Sequence, residues 1–172
     1  MITAKFILAY LLQFASVLGI HADTSNIDAQ EAFCLAQNIF YEAKSEDSNG
    51  QLAVAAVTIN RTHDKRYPQT ICGVVKQAVY STITNRPVCA FSWYCDNKLK
   101  DDILFSKKDG SIDELKEEQF RAASMIAINM LAGEAEDITH GATHFFNPSV
   151  SNPPWKIKMT KTLTLGNHVF YR

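Results

Sequence analysis

Ile27 to Arg61 reads IDAQEAFCLAQNIFYEAKSEDSNGQLAVAAVTINR, and this stretch decides the fold. Its first half carries apolar residues at helical spacing. Phe33, Ala36, Phe40 and Ala43 share one face, with Leu35, Ile39 and Glu42 on a neighbouring stripe. Ser25 or Asn26 is placed to cap a helix that carries Ile27 to Ala43. A polar turn follows from Lys44 to Gly50. Gln51 to Arg61 is then apolar almost all round, which predicts a helix sunk in a core. Two such helices in succession set a helical first half.

Further along, Pro68 stops the chain and Thr70 is expected to cap a short helix through Ala78. Residues 79–96 hold Tyr80, Phe91, Trp93 and Tyr94 with little helical period, and read as a pinned loop or short strands. Lys98 to Asp113 is charged and polar, an expected exposed excursion. Asp113 to Ala132 predicts a helix with Leu115, Ala122, Ile126 and Met130 on its core stripe, stopped by Gly133. The last forty residues change character. Ala142 to Asn147 is β-like, three prolines force a loop, and Leu163 to Leu165 and His168 to Tyr171 flank Gly166-Asn167 as a hairpin. Helices first and a small sheet late make the class α+β.

The chain has 172 residues, 47% hydrophobic and 20% charged, the balance of a folded domain and of a length that favours one. A net charge of -1 carries no suggestion of a general nucleic-acid binder. Residues 1–22 carry Lys5, an apolar run from Phe6 to Ile20 and a small residue at Ala22, the pattern of a cleaved secretory signal. An uncleaved anchor is the competing reading, and the run is short for a membrane span. Any membrane contact is expected through this segment alone.

Export makes the cysteines legible. Cys34, Cys72, Cys89 and Cys95 would meet an oxidising compartment, where an even count implies bridges. Four cysteines allow three pairings. Cys89 and Cys95 enclose a short aromatic loop and are the expected local pair, leaving Cys34 with Cys72. The tight ligand pairs of a zinc site are missing from the sequence, so no metal and no cofactor is expected.

Glu42 is the carboxylate with most reason to hold its proton. It follows Phe40 and Tyr41 at a helix C-terminus, where apolar surroundings and the negative end of the helix dipole both raise a carboxyl pKa. Protonation of a glycosidic oxygen requires such an acid. An ordinary solvated glutamate is the competing reading. His140 and His144 are four apart and would share a face on helix or strand, with His63 or His168 as a distant third metal ligand. One pocket histidine and one surface histidine explain the pair equally well. Tyr41, Phe91, Trp93, Tyr94, Phe145, Phe146, Trp155 and Tyr171 could stack on sugar rings, although Phe146 and Phe170 read as core.

Taken in order, these segments form a pattern. Cys34-Leu-Ala-Gln-Asn-Ile-Phe-Tyr-Glu42-Ala-Lys-Ser-Glu46 is followed by Gly50-Gln-Leu-Ala-Val-Ala-Ala-Val, Ile59-Asn60-Arg61, Tyr67-Pro68 and Thr70-Ile-Cys72. Cys89-Ala-Phe-Ser-Trp93-Tyr-Cys95-Asp96, Gly141-Ala-Thr-His144-Phe-Phe-Asn147-Pro148 and Gly166-Asn-His168-Val-Phe-Tyr-Arg172 complete it. The set resembles the cell wall hydrolase family typified by the spore cortex-lytic enzyme SleB and by CwlJ, over roughly residues 33–172.

That resemblance implies a lysozyme-like domain over residues 23–172 that cleaves peptidoglycan glycan strands as a lytic transglycosylase. Glu42 falls on the family's essential acid, the first Glu of a segment usually written E-A-R-G-E. Lys44 and Ser45 depart from its Arg and Gly. Glu46 matches the second Glu and is expected to support the turn. The family also points to the 34–72 and 89–95 bridges. Tyr41, Phe91, Trp93, His144 and Asn147 are expected along the substrate groove. The alternatives are a hydrolase using a water held by Asp96, and a metal-dependent amidase using His144 and His168. A monomer in the periplasm or cell wall, or secreted, is the expected setting.

Overall fold

The structure is a computed structural model, and it describes residues 24–96, 111 and 113–172. The leader expected over residues 1–22 lies outside them, as does nearly all of the polar stretch that begins at Lys98.

Helix α1 spans Ala29–Ala43. Its cap is Asp28, not Ser25 or Asn26: the Asp28 carboxylate accepts from the backbone of Gln30 at 2.8 Å and Glu31 at 3.0 Å. A charged acceptor at the positive end of a helix is the stronger cap, and Thr24 to Ile27 closes its own turn just before it. The two stripes read from the sequence merge into one wide buried face containing Leu35, Ala36, Ile39 and Phe40.

Helix α2 spans Ser48–His63, capped by Asp47, which accepts from Gly50 N at 2.8 Å. Ala53 to Thr58 are all buried, so α2 is the central helix that the apolar run predicts. Gly50 is needed where it stands, because a Cβ there would come within 2.7 Å of Glu46 Cβ.

Helix α3 spans Ile71–Val75. Thr70 caps it as expected, and the Glu31 carboxylate reaches from α1 to accept from Ile71 N at 2.5 Å. The helix ends three residues short of Ala78, which instead opens strand β1, Ala78–Tyr80, paired antiparallel with β2, Pro87–Cys89. Helix α4 is one turn, Ser92–Cys95. Both expected disulfides are present, Cys34–Cys72 between α1 and α3 and Cys89–Cys95 between β2 and α4.

Helix α5 spans Glu114–Leu131. Its buried residues are Phe120, Ala123, Ser124, Ala127 and Ile128; of the expected stripe Ile126 and Met130 pack against the core, while Leu115 and Ala122 are exposed. Leu115 is exposed, since the first turn overhangs the end of the core. The helix stops in a Schellman motif: Gly133 has φ 75°, and Glu134 N donates to Asn129 O at 2.9 Å.

Strands β3, His144–Phe146, β4, Lys161–Leu165, and β5, His168–Tyr171, form an antiparallel sheet in the order β3-β5-β4. Gly166 makes the β4–β5 turn with φ 53°. The main core lies among α1, α3, α5 and Trp93, and a second cluster of Ala53, Val57, Ala142 and Phe170 joins α2 to the sheet. This is the α+β arrangement read from the sequence, with Phe146 and Phe170 in the core as expected. Among the described residues, no helix is long and apolar enough to cross a membrane.

Candidate active site

Glu42 is the second-last residue of α1 and only partly exposed. Burial pushes its carboxyl up to about 7, and the nearby positive charge of Arg61 pulls the other way. The acid singled out by the sequence therefore has the property that general acid catalysis asks for, a proton still present near neutral pH.

Arg61 was not among the residues expected at the site. It is 7% exposed, near the end of the otherwise apolar α2. Its Nε donates to the Thr143 carbonyl at 2.7 Å. Its guanidinium lies 4.8 Å from the Phe91 ring centre and 5.3 Å from that of Tyr67. Its Nη1 is buried without a hydrogen-bond partner. The signal was present in the sequence as one cation inside an apolar run; such a residue stays buried only where something holds its charge.

The Tyr67 hydroxyl lies 3.3 Å from His144 Nε2, and the Thr143 hydroxyl lies 3.0 Å from Nδ1. Both ring nitrogens are thus engaged. Burial and the charges of Arg61 and Arg66 lower the His144 pKa to about 4, so the ring is neutral at neutral pH. His144 is the pocket histidine. His140 is exposed in a turn with φ 56°, and His63 is exposed at the end of α2. Among the described residues, no group of three or more His, Cys, Asp or Glu side chains is placed to hold a metal ion.

The approach to β3 is fixed from α2. Asp137 accepts from Asn60 Nδ2 at 2.9 Å, from Thr139 N at 2.7 Å and from Gly141 N at 2.8 Å, while Asn60 also donates to the Ala142 carbonyl. These bonds hold the Asp137 carboxyl below its ordinary range against its burial. They place Thr143 and His144 beside Arg61.

Two expected groove residues prove to be core. Phe91 is 2% exposed and lies against Arg61. Trp93 is 7% exposed, and its Nε1 donates to Asn38 Oδ1 at 2.9 Å. Buried rings of this kind have no free face for a sugar. Tyr41 stacks on Trp93 at 4.5 Å and keeps one side partly exposed. The partly exposed tryptophan is Trp155, 4.9 Å from the His144 ring and packed edge-on against Phe146 and Tyr171. Asn147 follows β3, but its amide oxygen accepts from Ser149 N at 2.9 Å and shapes its own turn. Asp96 is exposed at the end of α4.

Glu46 is a fixture of the turn. Its side chain is 8% exposed, and Oε1 accepts from Asn167 Nδ2 at 2.9 Å. His168 Nδ1 lies 3.9 Å from the same oxygen. The α1–α2 turn is therefore tied to the β4–β5 turn. A separate hollow of about 470 Å³ lies at the N-terminal end of α1. Its two carboxylates, Asp28 and Glu31, accept from the N-terminal amides of α1 and α3.

Residues 45–171 match the family model described as Cell Wall Hydrolase, a match that begins just beyond Glu42. The chain is 27% identical over 136 residues to spore cortex-lytic enzymes of Halalkalibacterium halodurans and Bacillus subtilis, covering 79% of itself. It covers 33% and 35% of those proteins, about a third of their length. Among solved structures, it is similar to the catalytic domain of the germination-specific lytic transglycosylase SleB from Bacillus anthracis. The TM-score is 0.61 at 22% identity, over 86% of this chain and 98% of that one. The catalytic domain of the Bacillus cereus SleB protein aligns with a TM-score of 0.56 at 26% identity, over 86% and 94%. These likenesses agree with the α+β fold.

Proposed function

The chain belongs to the cell wall hydrolase family, and from that premise we propose that it cleaves peptidoglycan glycan strands as a lytic transglycosylase, with Glu42 as acid and then base. The observation that carries this reading is a partly buried carboxyl raised to about 7 at the end of α1, beside a buried cation.

In the first step the Glu42 carboxyl gives its proton to the oxygen joining N-acetylmuramic acid to N-acetylglucosamine. The C1–O bond breaks, its electron pair stays with the leaving oxygen, and positive charge develops at C1. In the second step the muramoyl 6-hydroxyl oxygen attacks C1 and its proton passes to the Glu42 carboxylate. The product is a 1,6-anhydro ring, and Glu42 is again protonated. One carboxyl serves both steps because the nucleophile belongs to the substrate.

Tyr41, His144 and Trp155 border the substrate groove in this reading, with Asn147 shaping its far wall and Glu46 holding the turn after Glu42. Trp93 and Phe91 support it from beneath. Asp96 would hold a water in the hydrolytic alternative. Residues 23–172 act as the catalytic domain, a monomer exported by the segment before it to reach the wall.

Digestion of purified peptidoglycan with identification of products by mass tests the reaction. Anhydromuramoyl ends are the expected result. Reducing muramic ends would replace the transglycosylase by a hydrolase, and free stem peptides would replace both by an amidase.

A further inference from the structure

Arg61 is held more firmly than its contacts with the fold require. Thr143 fixes Nε at 2.7 Å, and the Phe91 and Tyr67 rings lie against the guanidinium. One nitrogen, Nη1, remains buried and unpartnered. A buried donor left without an acceptor is destabilising unless it meets one at some stage of function. The carboxyl within electrostatic reach is Glu42, which becomes an acceptor for that donor when it gives its proton away.

We propose that Arg61 is the positioning residue of this site, a fixed cation whose unspent Nη1–H stabilises the Glu42 carboxylate formed when the acid gives up its proton. This rests on the acid–base role given to Glu42. The guanidinium does not touch the bond that breaks; it acts through Glu42. Burial alone would hold the proton on Glu42 too tightly for a good acid, and a cation at this place restores the balance. Preorganised charge of this kind needs no rearrangement when the carboxylate forms.

The other groups facing this pair are accounted for. Tyr67, from the segment after α2, meets Arg61 and His144. His144, on β3, is uncharged at neutral pH. Asp64 and Arg66, at the end of α2, pair with each other at the surface. Lys44 lies 5.0 Å over the Phe40 ring. Glu42 is the group here whose carboxyl is raised into the neutral range.

The test is the pH profile of kcat/KM on soluble glycan strands for wild type, Arg61→Lys, Arg61→Met and Glu42→Gln. Activity should fall on the alkaline side as Glu42 loses its proton. In R61M that limb should move up by about one pH unit or more, with a lower maximum, while R61K stays close to the wild-type limb. An unmoved limb in folded R61M overturns the inference. For a variant that does not fold, ¹⁵N spectra of the Arg61 guanidinium in the wild-type protein give the same answer. Its Nη signals should shift with a midpoint near 7 and stay flat in E42Q; a flat wild-type signal also overturns the inference. An active E42Q would overturn the acid–base reading itself, which keeps the two failures apart.

Discussion

The indole nitrogen of Trp93 donates to Oδ1 of Asn38 at 2.9 Å inside the core. Asn38 in turn donates to Thr58 Oγ1 at 2.9 Å, and Thr58 to the Val54 carbonyl at 3.0 Å. This chain of donors ties α4 to α1 and α1 to α2. Trp93→Phe would leave Asn38 Oδ1 without its donor in a dry place. A loss of about 1–3 kcal/mol is expected, read as a Tm lower by several degrees. KM for glycan strands should barely change, because the indole has no free face. A variant with normal Tm and a weakened KM would return Trp93 to the groove.

Trp155 should behave in the opposite way. Its ring is partly exposed against His144. Trp155→Ala should raise KM roughly tenfold, the equivalent of ~1.4 kcal/mol of lost sugar contact. Melting and steady-state kinetics on the same preparation separate this from a folding defect. A KM that does not move would exclude Trp155 from binding.

Gly166 sits where a side chain is strained. Its φ is 53°, and a Cβ would overlap Oε2 of Glu46. Gly166→Ala combines left-handed strain with displacement of a carboxylate that holds Asn167. A loss of about 1–3 kcal/mol is expected, measured by thermal or urea unfolding. Equal stability of the two proteins would mean that the link between the turns carries little energy.

Glu42 makes stability depend on pH in a direction opposite to that of a paired carboxylate. Its folded pKa, about 7, lies above the ordinary 4.5. The folded state therefore keeps the proton that the unfolded chain gives up, and stability falls as pH rises between those two values. The full effect is about 3 kcal/mol, reduced by partial exposure. Glu42→Gln should then be more stable than wild type at pH 8 and no more stable at pH 4. The difference of the two melting curves across pH isolates this from His144, whose depressed pKa destabilises the fold as pH drops below its ordinary value. A difference that does not change with pH would mean that Glu42 is an ordinary solvated acid.

Much of this architecture was legible in residues whose neighbours are close in sequence. The all-round apolar run from Gln51 predicts the central helix, Gly133 predicts the stop of α5, and Gly166-Asn167 predicts the hairpin. Cys89 and Cys95 enclose so short a loop that their pairing could be anticipated. What failed depended on tertiary placement. On α5 the periodicity finds Ile126 and Met130 but not the exposure of Leu115 and Ala122, which are as apolar as Ala123 and Ala127; only the position of α1 decides which face turns inward. Trp93 and Trp155 carry the same side chain. One is buried because Asn38 lies across the core from it, 55 residues earlier. The place of Arg61 is hidden in the sequence for the same reason: its partners Phe91 and Thr143 come from later segments.

The central claim is that one carboxyl carries the reaction. The direct test is the rate of release of soluble muropeptides from purified peptidoglycan by wild type and by Glu42→Gln, at pH 6, with Tm measured on the same samples. The account predicts a loss of about 100-fold or more with a Tm equal to or above that of wild type. Release within a few-fold of wild type by a folded E42Q protein would contradict it.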